Sequence, residues 1–260
     1  MARKMKHFII TPFYPYAKSP LTDEILFGER CNILDIGLVH LTQFLIPSLE
    51  NQSCQDFTLL LGINRELKSY RKDIYSGLLK LQHNSKISMK VMDWFQFYDY
   101  IDSLDDNYII ATKIDHDDCF GKDTIKIIQN QQDWKLDFKF FACMSGAMLW
   151  KDTGDIREYI SPTWKDGLSS FSASPTFLTQ WNKHRLLPVY GHTKVTSITI
   201  PNKVELIHGI NHFYDYDTEL AWLYIRHGYN RSREIWYEYG DRLNLTNQEI
   251  TNQFGIILQN

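Results

Sequence analysis

The stretch Tyr108–Phe120, YIIATKIDHDDCF, decides the fold class of this chain. Its first half is a short apolar run rich in isoleucine, which predicts a buried strand over Tyr108–Ile114. The run ends abruptly at the acidic tetrapeptide DHDD, residues 115–118. Ligands of open α/β sheets lie beyond the carboxyl ends of the strands, so this is where we expect the chemistry.

Upstream of this stretch, apolar runs alternate with segments of helical spacing. The predicted strands are His7–Thr11, Asp56–Gly62 and Ile87–Met92, and the predicted helices are Asp35–Glu50, Glu66–Leu81 and Trp94–Ile101. Pro47 should bend the first helix or end it near its last turn. Strands that alternate with helices predict an α/β domain with a Rossmann-like, largely parallel N-terminal sheet.

The downstream half has a different pattern. It predicts strands at Phe138–Met144, Ala147–Lys151, Val195–Ile200 and Val204–His208, with a loop-rich stretch over 152–188. From Asp215 onward, apolar residues suggest closing helices, namely Leu220, Leu223, Ile225, Ile235 and Trp236. With no linker or repeat along the chain, we expect one continuous domain with a mixed C-terminal half.

Composition excludes several classes of protein. The 28 basic and 31 acidic residues leave a net charge of −3, so the basic stripe typical of nucleic-acid binding is absent and no nucleic-acid partner is expected. Thirteen glycines, eight prolines and 14% aromatic residues argue against collagen-like and disordered chains.

The cysteines and the apolar runs bear on the compartment. Cys31, Cys54, Cys119 and Cys143 form no C-x-x-C pair, which predicts small core residues in a reducing compartment. The apolar run before Thr11 is too short for a signal peptide, and no apolar stretch of the sequence approaches the roughly 18 residues of a spanning helix. A cytoplasmic protein is the expectation.

The DHDD tetrapeptide has two interpretations. Carboxylates this close repel one another, and oxygen ligands suit Mg²⁺ or Mn²⁺ bridged to substrate phosphates, so the tetrapeptide could hold a metal on a diphosphate. Alternatively it is a solvated acidic turn that caps a helix beginning near Gly121.

Several segments resemble the rhamnosyltransferase family of bacterial glycosyltransferases. IIATKIDHDDCF resembles the family's TRLDNDDAL core, and HFIITPF resembles its opening strand. The segment from Arg30 through LIPSLENQSCQDFTLLL, the GHTKV sequence and the HG-x-N of residues 208–211 match further family motifs in the same order. Together these segments span roughly residues 6 to 212.

The resemblance implies a fold and a set of ligands. The fold is a single GT-A-like domain, with a nucleotide-sugar donor half over 1–118 and an acceptor half over 119–212. The closing helices suggested by the apolar residues would occupy 213–260, which no family segment matches. Asp117 and Asp118 would bind Mn²⁺ or Mg²⁺ together with His208, and Asp115 would face the ribose or diphosphate. A half-buried, inert histidine at a strand end is the alternative for His208.

The remaining donor contacts follow from the same resemblance. They are Thr11, Arg30, Asn64, Lys113 and His192. Asn64 stands where many GT-A enzymes carry an aspartate that recognises the base, which leaves the nucleotide open. Lys113 replaces the family's arginine and keeps the charge without the bidentate fork. His192 would contact the diphosphate or the acceptor, or be an inert histidine.

An inverting transferase also needs a carboxylate that takes the acceptor's proton. Asp152 and Asp155 are the candidates because they follow the strand over Ala147–Lys151; an ordinary acidic turn is the alternative. Trp164 and Trp181 are candidate sugar-stacking residues of the acceptor site, with core packing as the alternative.

The basic and aromatic cluster over Tyr224–Tyr239 is compatible with an anionic lipid surface or a partner helix, and an ordinary amphipathic helix is the alternative. Peripheral contact at the inner face of the membrane is therefore one expectation. The sequence leaves the oligomeric state open.

Three functions are compatible with these features. The first is a metal-dependent glycosyltransferase that moves a sugar, rhamnose by the family resemblance, from a nucleotide-diphosphate donor to a glycan or polysaccharide. The second is a sugar nucleotidyltransferase, although the segment TPFYPYAKSP after the first strand lacks the glycines of a phosphate loop. The third is a non-catalytic carbohydrate-binding protein, which would leave the DHDD tetrapeptide unexplained.

Overall fold

The computed structural model describes residues 5–14, 23–26, 29–104, 108–130, 138–143, 146–151, 153–160, 176–181, 211–214, 220–226 and 238–258. The strands are β1 Lys6–Phe13, β2 Asp23–Leu26, β3 Glu29–Asn32, β4 Thr58–Ile63, β5 Ser88–Asp93, β6 Tyr108–Lys113, β7 Cys119–Phe120, β8 Phe138–Cys143, β9 Gly146–Trp150, β10 Asp155–Ile160, β11 Thr176–Gln180, β12 Asn211–Tyr214, β13 Trp222–Arg226 and β14 Glu238–Arg242. The helices are α1 Ile33–His40, α2 Ile46–Glu50, α3 Leu67–Tyr70, α4 Lys72–Asn84, α5 Phe97–Asp102, α6 Thr124–Asn130 and α7 Asn247–Phe254, with a π-helical turn at Leu41–Leu45 and a 3₁₀ turn at Trp94–Gln96.

The larger sheet has seven strands in the order β12-β8-β11-β6-β1-β4-β5. The strands β5, β4, β1 and β6 run parallel, with Ile9 of β1 between Leu59 of β4 and Thr112 of β6. Strand β11 is antiparallel to both β6 and β8, and β12 is parallel to β8. The predicted α/β fold, with a parallel N-terminal sheet and a mixed C-terminal half, is confirmed.

The order of the parallel strands creates a switch point. From β1 the chain adds β4 and then β5 on one side, and it returns to place β6 on the other side of β1. Connections that leave a strand in opposite directions open a crevice at the carboxyl ends of the two central strands. Here that crevice lies beyond the ends of β1 and β6.

Alternate residues of β1 enter two different cores. On one face of the sheet, Ile9 and Phe13 pack with Leu34 and Leu41 of the helical segment Ile33–Glu50. On the other face, Ile10 packs with Phe97 of α5. A sheet covered by helices on both faces needs apolar residues at consecutive positions. This is why β1, β4 and β6 are largely continuous apolar runs in the sequence.

The helix Ile33–Glu50 joins β3 to the segment before β4. Its helical hydrogen-bonding pattern changes at the π-helical turn Leu41–Leu45, just before Pro47, as the predicted bend requires. Proline causes such a change because it has no N–H and crowds the preceding turn. In the described part of the chain it is the one helix long and apolar enough, by length and composition, to be a candidate membrane span. Its buried leucines, Leu45 and Leu49 among them, instead pack against the large sheet.

The predicted helix over Glu66–Leu81 is interrupted. It forms as two helices, α3 and α4, because Arg71 adopts a non-helical φ of −136° between them. The side chain of Arg71 ties this break to α1 through an ion pair with Asp35, at 2.7 Å.

The smaller sheet has five strands in the order β14-β10-β9-β13-β7. Two strands that the sequence analysis did not predict, β10 and β11, lie within the stretch 152–188 that was expected to be loop-rich. The prediction of helices at Leu223 and Ile225 is wrong, since both residues belong to β13. Strand β13 is buried on both faces, and a short run of this kind has the same apolar pattern as a buried helix segment.

The closing helix of the described chain is α7. Thr246 caps it: its hydroxyl accepts the N–H of Glu249, and the Glu249 carboxylate accepts the N–H of Thr246. Gly255 ends the helix with a φ of +70°, a backbone conformation that side chains disfavour. None of the residues that suggested closing helices lies in α7. Ile235 and Trp236 lie outside the described residues, as do the predicted strands Val195–Ile200 and Val204–His208.

Candidate metal centre

The acidic tetrapeptide lies at the switch point of the large sheet. After β6, the N–H of Ile114 donates to the carbonyl of Ile10 at 3.1 Å and keeps the chain against β1. The N–H of Asp118 then donates to the carbonyl of Asp115, at 3.3 Å, and the chain turns into β7. This turn holds the tetrapeptide at the carboxyl edge of the sheet.

The three carboxylates of the turn converge. One oxygen each from Asp115, Asp117 and Asp118 lies within 4.8 Å of the others. Two oxygens bound to one divalent ion are at most about 4–5 Å apart, because each bond is about 2.0–2.6 Å long. The spacing and the oxygen-only chemistry therefore fit a divalent cation such as Mg²⁺ or Mn²⁺.

Asp118 is the most constrained member of this cluster. Its side chain is fully buried, and burial, followed by the charges of Asp117 and Asp115, raises its pKa well above the usual range. The backbone N–H of Ile225, which donates to Asp118 Oδ1 at 3.2 Å, opposes part of this shift. A cation held among the carboxylates would stabilise the ionised form that burial disfavours.

Lys113, predicted as a donor contact, lies beside this carboxylate cluster. Its side chain is 4% exposed, and its Nζ lies 2.8 Å from Oδ1 of Asp115. In the structure, its ammonium therefore orients one carboxylate of the cluster.

The His116 ring packs against two aromatic rings. Its ring lies 4.9 Å from the ring of Tyr14 and 5.5 Å from that of Phe13, at the end of β1. Gly37 of α1 makes room for this stack, since a Cβ there would meet the Tyr14 ring at 2.5 Å. Tyr14 has a φ of +45°, an uncommon conformation for a bulky residue. The spacing of the residues in DHDD does not predict the contacts of His116 with Tyr14 and Phe13, because spacing carries no information on the direction of a side chain.

Two other predicted donor residues lie along the same edge. Thr11 is fully buried in β1 opposite Leu61, so the structure does not place its hydroxyl on an accessible surface. Asn64 follows β4, and its Oδ1 accepts the N–H of Glu66 at 2.8 Å, next to α3. Asn64 lies two strands away from β6, so it is at the same sheet edge without joining the carboxylate cluster.

Trp181 requires a correction. It follows β11, whose Gln180 pairs with Tyr108 at the start of β6, so it lies about 20 Å from the aspartates that follow the end of that strand. It is 4% exposed, its Nε1 donates to Asp102 at 2.8 Å, and its ring stacks on Tyr98. A buried tryptophan at the opposite end of the sheet is a core residue, which contradicts the predicted role in sugar stacking.

Asp155 is also separated from the cluster. It begins β10, which is three strands from β7 in the smaller sheet, a distance of about 14 Å. Its carboxylate lies 2.9 Å from Arg157 and 2.8 Å from Arg242. Two guanidinium partners favour a structural ion pair, and the arrangement does not support Asp155 as the acceptor's base.

The other predicted site residues cannot be placed. Asp152, Trp164, His192 and His208 lie outside the described residues, and only the backbone of Arg30 is described, in β3. Their roles stay predictions. Of the cysteines, Cys119 is buried and Cys54 is partly buried, and both are free thiols.

A basic pair that the sequence analysis missed lies between the helix Ile33–Glu50 and the smaller sheet. Lys151 follows β9, and its Nζ lies 3.4 Å from Nε2 of the buried His40 and 5.5 Å from the Phe44 ring. Its backbone N–H donates to the carbonyl of Arg226, the neighbour of the Ile225 that binds Asp118. No sequence signal links these residues, since His40 and Lys151 are 111 positions apart.

Comparisons with known proteins give little further guidance. No protein-family model matches this chain, and a search of curated proteins finds no match. One solved structure, described as the inositol-1-phosphate CTP transferase from T. maritima, aligns with 74% of this chain and 77% of its own, at 10% identity and a TM-score of 0.30. An overlap this low supports no functional inference. The fold and the site define an α/β protein with a carboxylate cluster suited to a divalent cation.

Proposed function

We propose that this chain is a metal-dependent transferase that binds the diphosphate of a nucleotide substrate. The convergence of Asp115, Asp117 and Asp118 at the switch point of the parallel sheet carries the proposal. In this position a divalent ion held by the carboxylates would face a ligand lying across the ends of β1 and β6.

The protein's own residues have distinct tasks in this proposal. Asp117, partly exposed, and Asp118, buried, supply oxygens to the metal, while Lys113 keeps Asp115 oriented. When bound, the metal would neutralise negative charge that develops on a departing phosphate group. The backbone of β13 holds Asp118 in place through the N–H of Ile225.

The finer proposal is a glycosyltransferase that takes a sugar from a nucleotide-diphosphate donor to a glycan acceptor. The resemblance of residues 109–120 and of the other matching segments to the rhamnosyltransferase family supports it and suggests rhamnose. Asp152 remains the candidate for the acceptor's base, and His208 the candidate for a further metal ligand. A cytoplasmic location, with contact at the inner membrane face, belongs to the same proposal.

A sugar nucleotidyltransferase is the second candidate. The described cluster contains carboxylate oxygens alone, and such a set suits Mg²⁺ on a nucleoside triphosphate as well as Mn²⁺ on a diphosphate sugar. The geometry of the aspartates does not choose between the two reactions.

Calorimetry with a panel of nucleoside di- and triphosphates, with and without Mn²⁺ or Mg²⁺, tests the shared proposal. Metal-dependent nucleotide binding that is lost in Asp117→Asn is the expected result, and its absence would leave the carbohydrate-binding protein as the better hypothesis. Product analysis then separates the reactions, because glycosyl transfer releases a nucleoside diphosphate and nucleotidyl transfer releases pyrophosphate.

A further inference from the structure

A cavity of about 810 Å³ lies beside the smaller sheet, between the helix Ile33–Glu50 and the C-terminal segment 243–258. Its walls include the apolar side chains of Phe44, Leu149 and Ile250. This volume is within the range of sites for small organic ligands, about 300–1,000 Å³. The cavity is separate from the carboxylate cluster, and the sequence analysis did not anticipate it.

The charge of this cavity is concentrated at one place. Lys151 is the one ionisable side chain among the described lining residues, and within the described part of the chain no carboxylate forms an ion pair with it. Two polar residues of the lining already have local hydrogen bonds. Thr42 donates to the carbonyl of Val39, and Thr153 accepts the N–H of Asp155.

Part of the lining is apolar. Leu245 and Leu258 pack there against the core of the smaller sheet, and Ile257 lies at the rim with 78% of its surface exposed. Ile257 and these leucines offer contact to an apolar ligand, while Thr42, Gln43, Thr153 and Asn247 make the remaining lining polar. The cavity therefore combines one cation, several apolar side chains and neutral polar groups.

We propose that this cavity binds a single-chain amphiphile with an anionic phosphate head, its head group at Lys151 and its alkyl or isoprenoid chain along Phe44, Leu149 and Ile257. A single cation complements a single head group, and the ammonium, whose Nζ lies 5.5 Å from the centre of the Phe44 ring, can donate to phosphate oxygens. A protein partner would need a larger and flatter surface, roughly 800 Å² on each side.

The head group would lie on the side of the cavity nearest the metal centre. The N–H of Lys151 donates to Arg226, and the N–H of the adjacent Ile225 donates to Asp118. Binding at this site needs neither metal nor nucleotide, so it can be tested independently of the proposed transferase activity.

Calorimetry with decyl phosphate below its micellar concentration tests the proposal directly. Decyl phosphate should bind to one site, while inorganic phosphate and decanol should bind at least about tenfold more weakly, because each lacks one of the two features that the cavity recognises. Decanoate distinguishes a general anion site from one that prefers phosphate.

Two exposed substitutions locate the ligand, and two matched ones serve as controls. Lys151→Gln and Ile257→Asp should each weaken decyl phosphate binding about tenfold, whereas Lys122→Gln and Phe95→Ser, at an exposed lysine and an exposed aromatic residue elsewhere, should not change it. Circular dichroism confirms that each variant is folded. Three results would overturn the proposal: equal binding of decanol and decyl phosphate, unchanged binding in Lys151→Gln, or no binding of any of these ligands. The last result is expected if the protein's own segments fill the cavity.

Discussion

The backbone N–H of Ile225 donates to Oδ1 of Asp118 at 3.2 Å, across 107 positions of the chain. This bond joins the smaller sheet to the turn after β6, which belongs to the larger sheet. The buried carboxylate therefore has a structural partner as well as a place in the candidate metal centre. Substitutions that keep or remove its oxygen should separate the two roles.

Asp118→Asn and Asp118→Ala should affect the stability of the metal-free protein differently. The amide keeps an oxygen for Ile225 and removes a charge that burial disfavours, so we expect unchanged or higher stability. Alanine leaves the N–H of Ile225 without this acceptor and should lower the free energy of unfolding by about 1–3 kcal/mol. Both should abolish stabilisation by Mn²⁺. Urea unfolding with and without the ion measures this, and an asparagine variant still stabilised by Mn²⁺ would exclude Asp118 as a ligand.

Asp117→Asn should remove metal-dependent nucleotide binding without loss of stability. Asp117 is partly exposed, and its charge contributes to the raised pKa of Asp118, so its removal relieves repulsion in the metal-free protein. Calorimetry measures the binding, and Asp99→Asn, at an exposed position on α5, is the matched control. If Asp117→Asn binds nucleotide within a few-fold of the wild type at saturating Mn²⁺, the metal assignment is wrong.

Lys113→Met should make the protein more dependent on a divalent ion. The substitution leaves Asp115 without the ammonium at 2.8 Å, which should lower metal-free stability by about 1–3 kcal/mol. A bound cation would compensate for the lost charge, so Mn²⁺ should raise the melting temperature more in the variant than in the wild type. Differential scanning calorimetry compares the two, with Lys122→Met as the exposed control. If Mn²⁺ raises the melting temperature equally in the wild type and both variants, Lys113 does not contribute to the metal centre.

The sequence predicts the parallel half of the fold well for a physical reason. Strands covered by helices on both faces are continuous apolar runs, and β1, β4 and β6 have this pattern between helical segments. The edge strand β5 instead exposes Ser88 and Lys90. Strand β13 also has the continuous apolar pattern, and without its neighbours it is indistinguishable from a buried helix. Its assignment depends on pairing with β7 and β9, which lie far away in the chain.

The sequence also predicts only part of the candidate site. The three aspartates were found because they are adjacent in the sequence and follow a strand. The contacts of Lys113 with Asp115 and of the His116 ring with the Tyr14 ring depend on side-chain direction, which spacing does not reveal. The proximity of His40 and Lys151 depends on how the long helix crosses the smaller sheet.

The stability of the protein should fall as the pH drops below about 6.5, in part because of His7. This histidine is 2% exposed, its Nε2 lies 2.9 Å from Oγ1 of Thr112, and burial lowers its pKa to about 3. Below pH 6.5 the unfolded chain binds a proton that the folded protein does not. Each pH unit between about 6.5 and 3 should therefore cost up to about 1.4 kcal/mol.

Urea unfolding of His7→Gln between pH 7.5 and 4.5 isolates this contribution. The amide can keep a hydrogen bond to Thr112 and does not titrate, so the stability of the variant should depend less on pH than that of the wild type. His83→Gln, at an exposed histidine on α4, should keep the wild-type slope. Equal slopes in all three proteins would show that His7 is protonated in the folded state.

Trp181→Phe should lower stability without changing transfer to an acceptor. The substitution keeps an aromatic ring near Tyr98 but removes the indole N–H, so Asp102 loses a hydrogen bond of 2.8 Å, which should cost about 1–2 kcal/mol. Asp102→Asn in the same background should have little further effect if the two side chains act as a pair, and this double-mutant cycle is measured by urea unfolding. Since Trp181 lies about 20 Å from the aspartates, KM for the acceptor should equal that of the wild type once an acceptor is identified. A selective rise in that KM, with stability unchanged, would return Trp181 to the acceptor site.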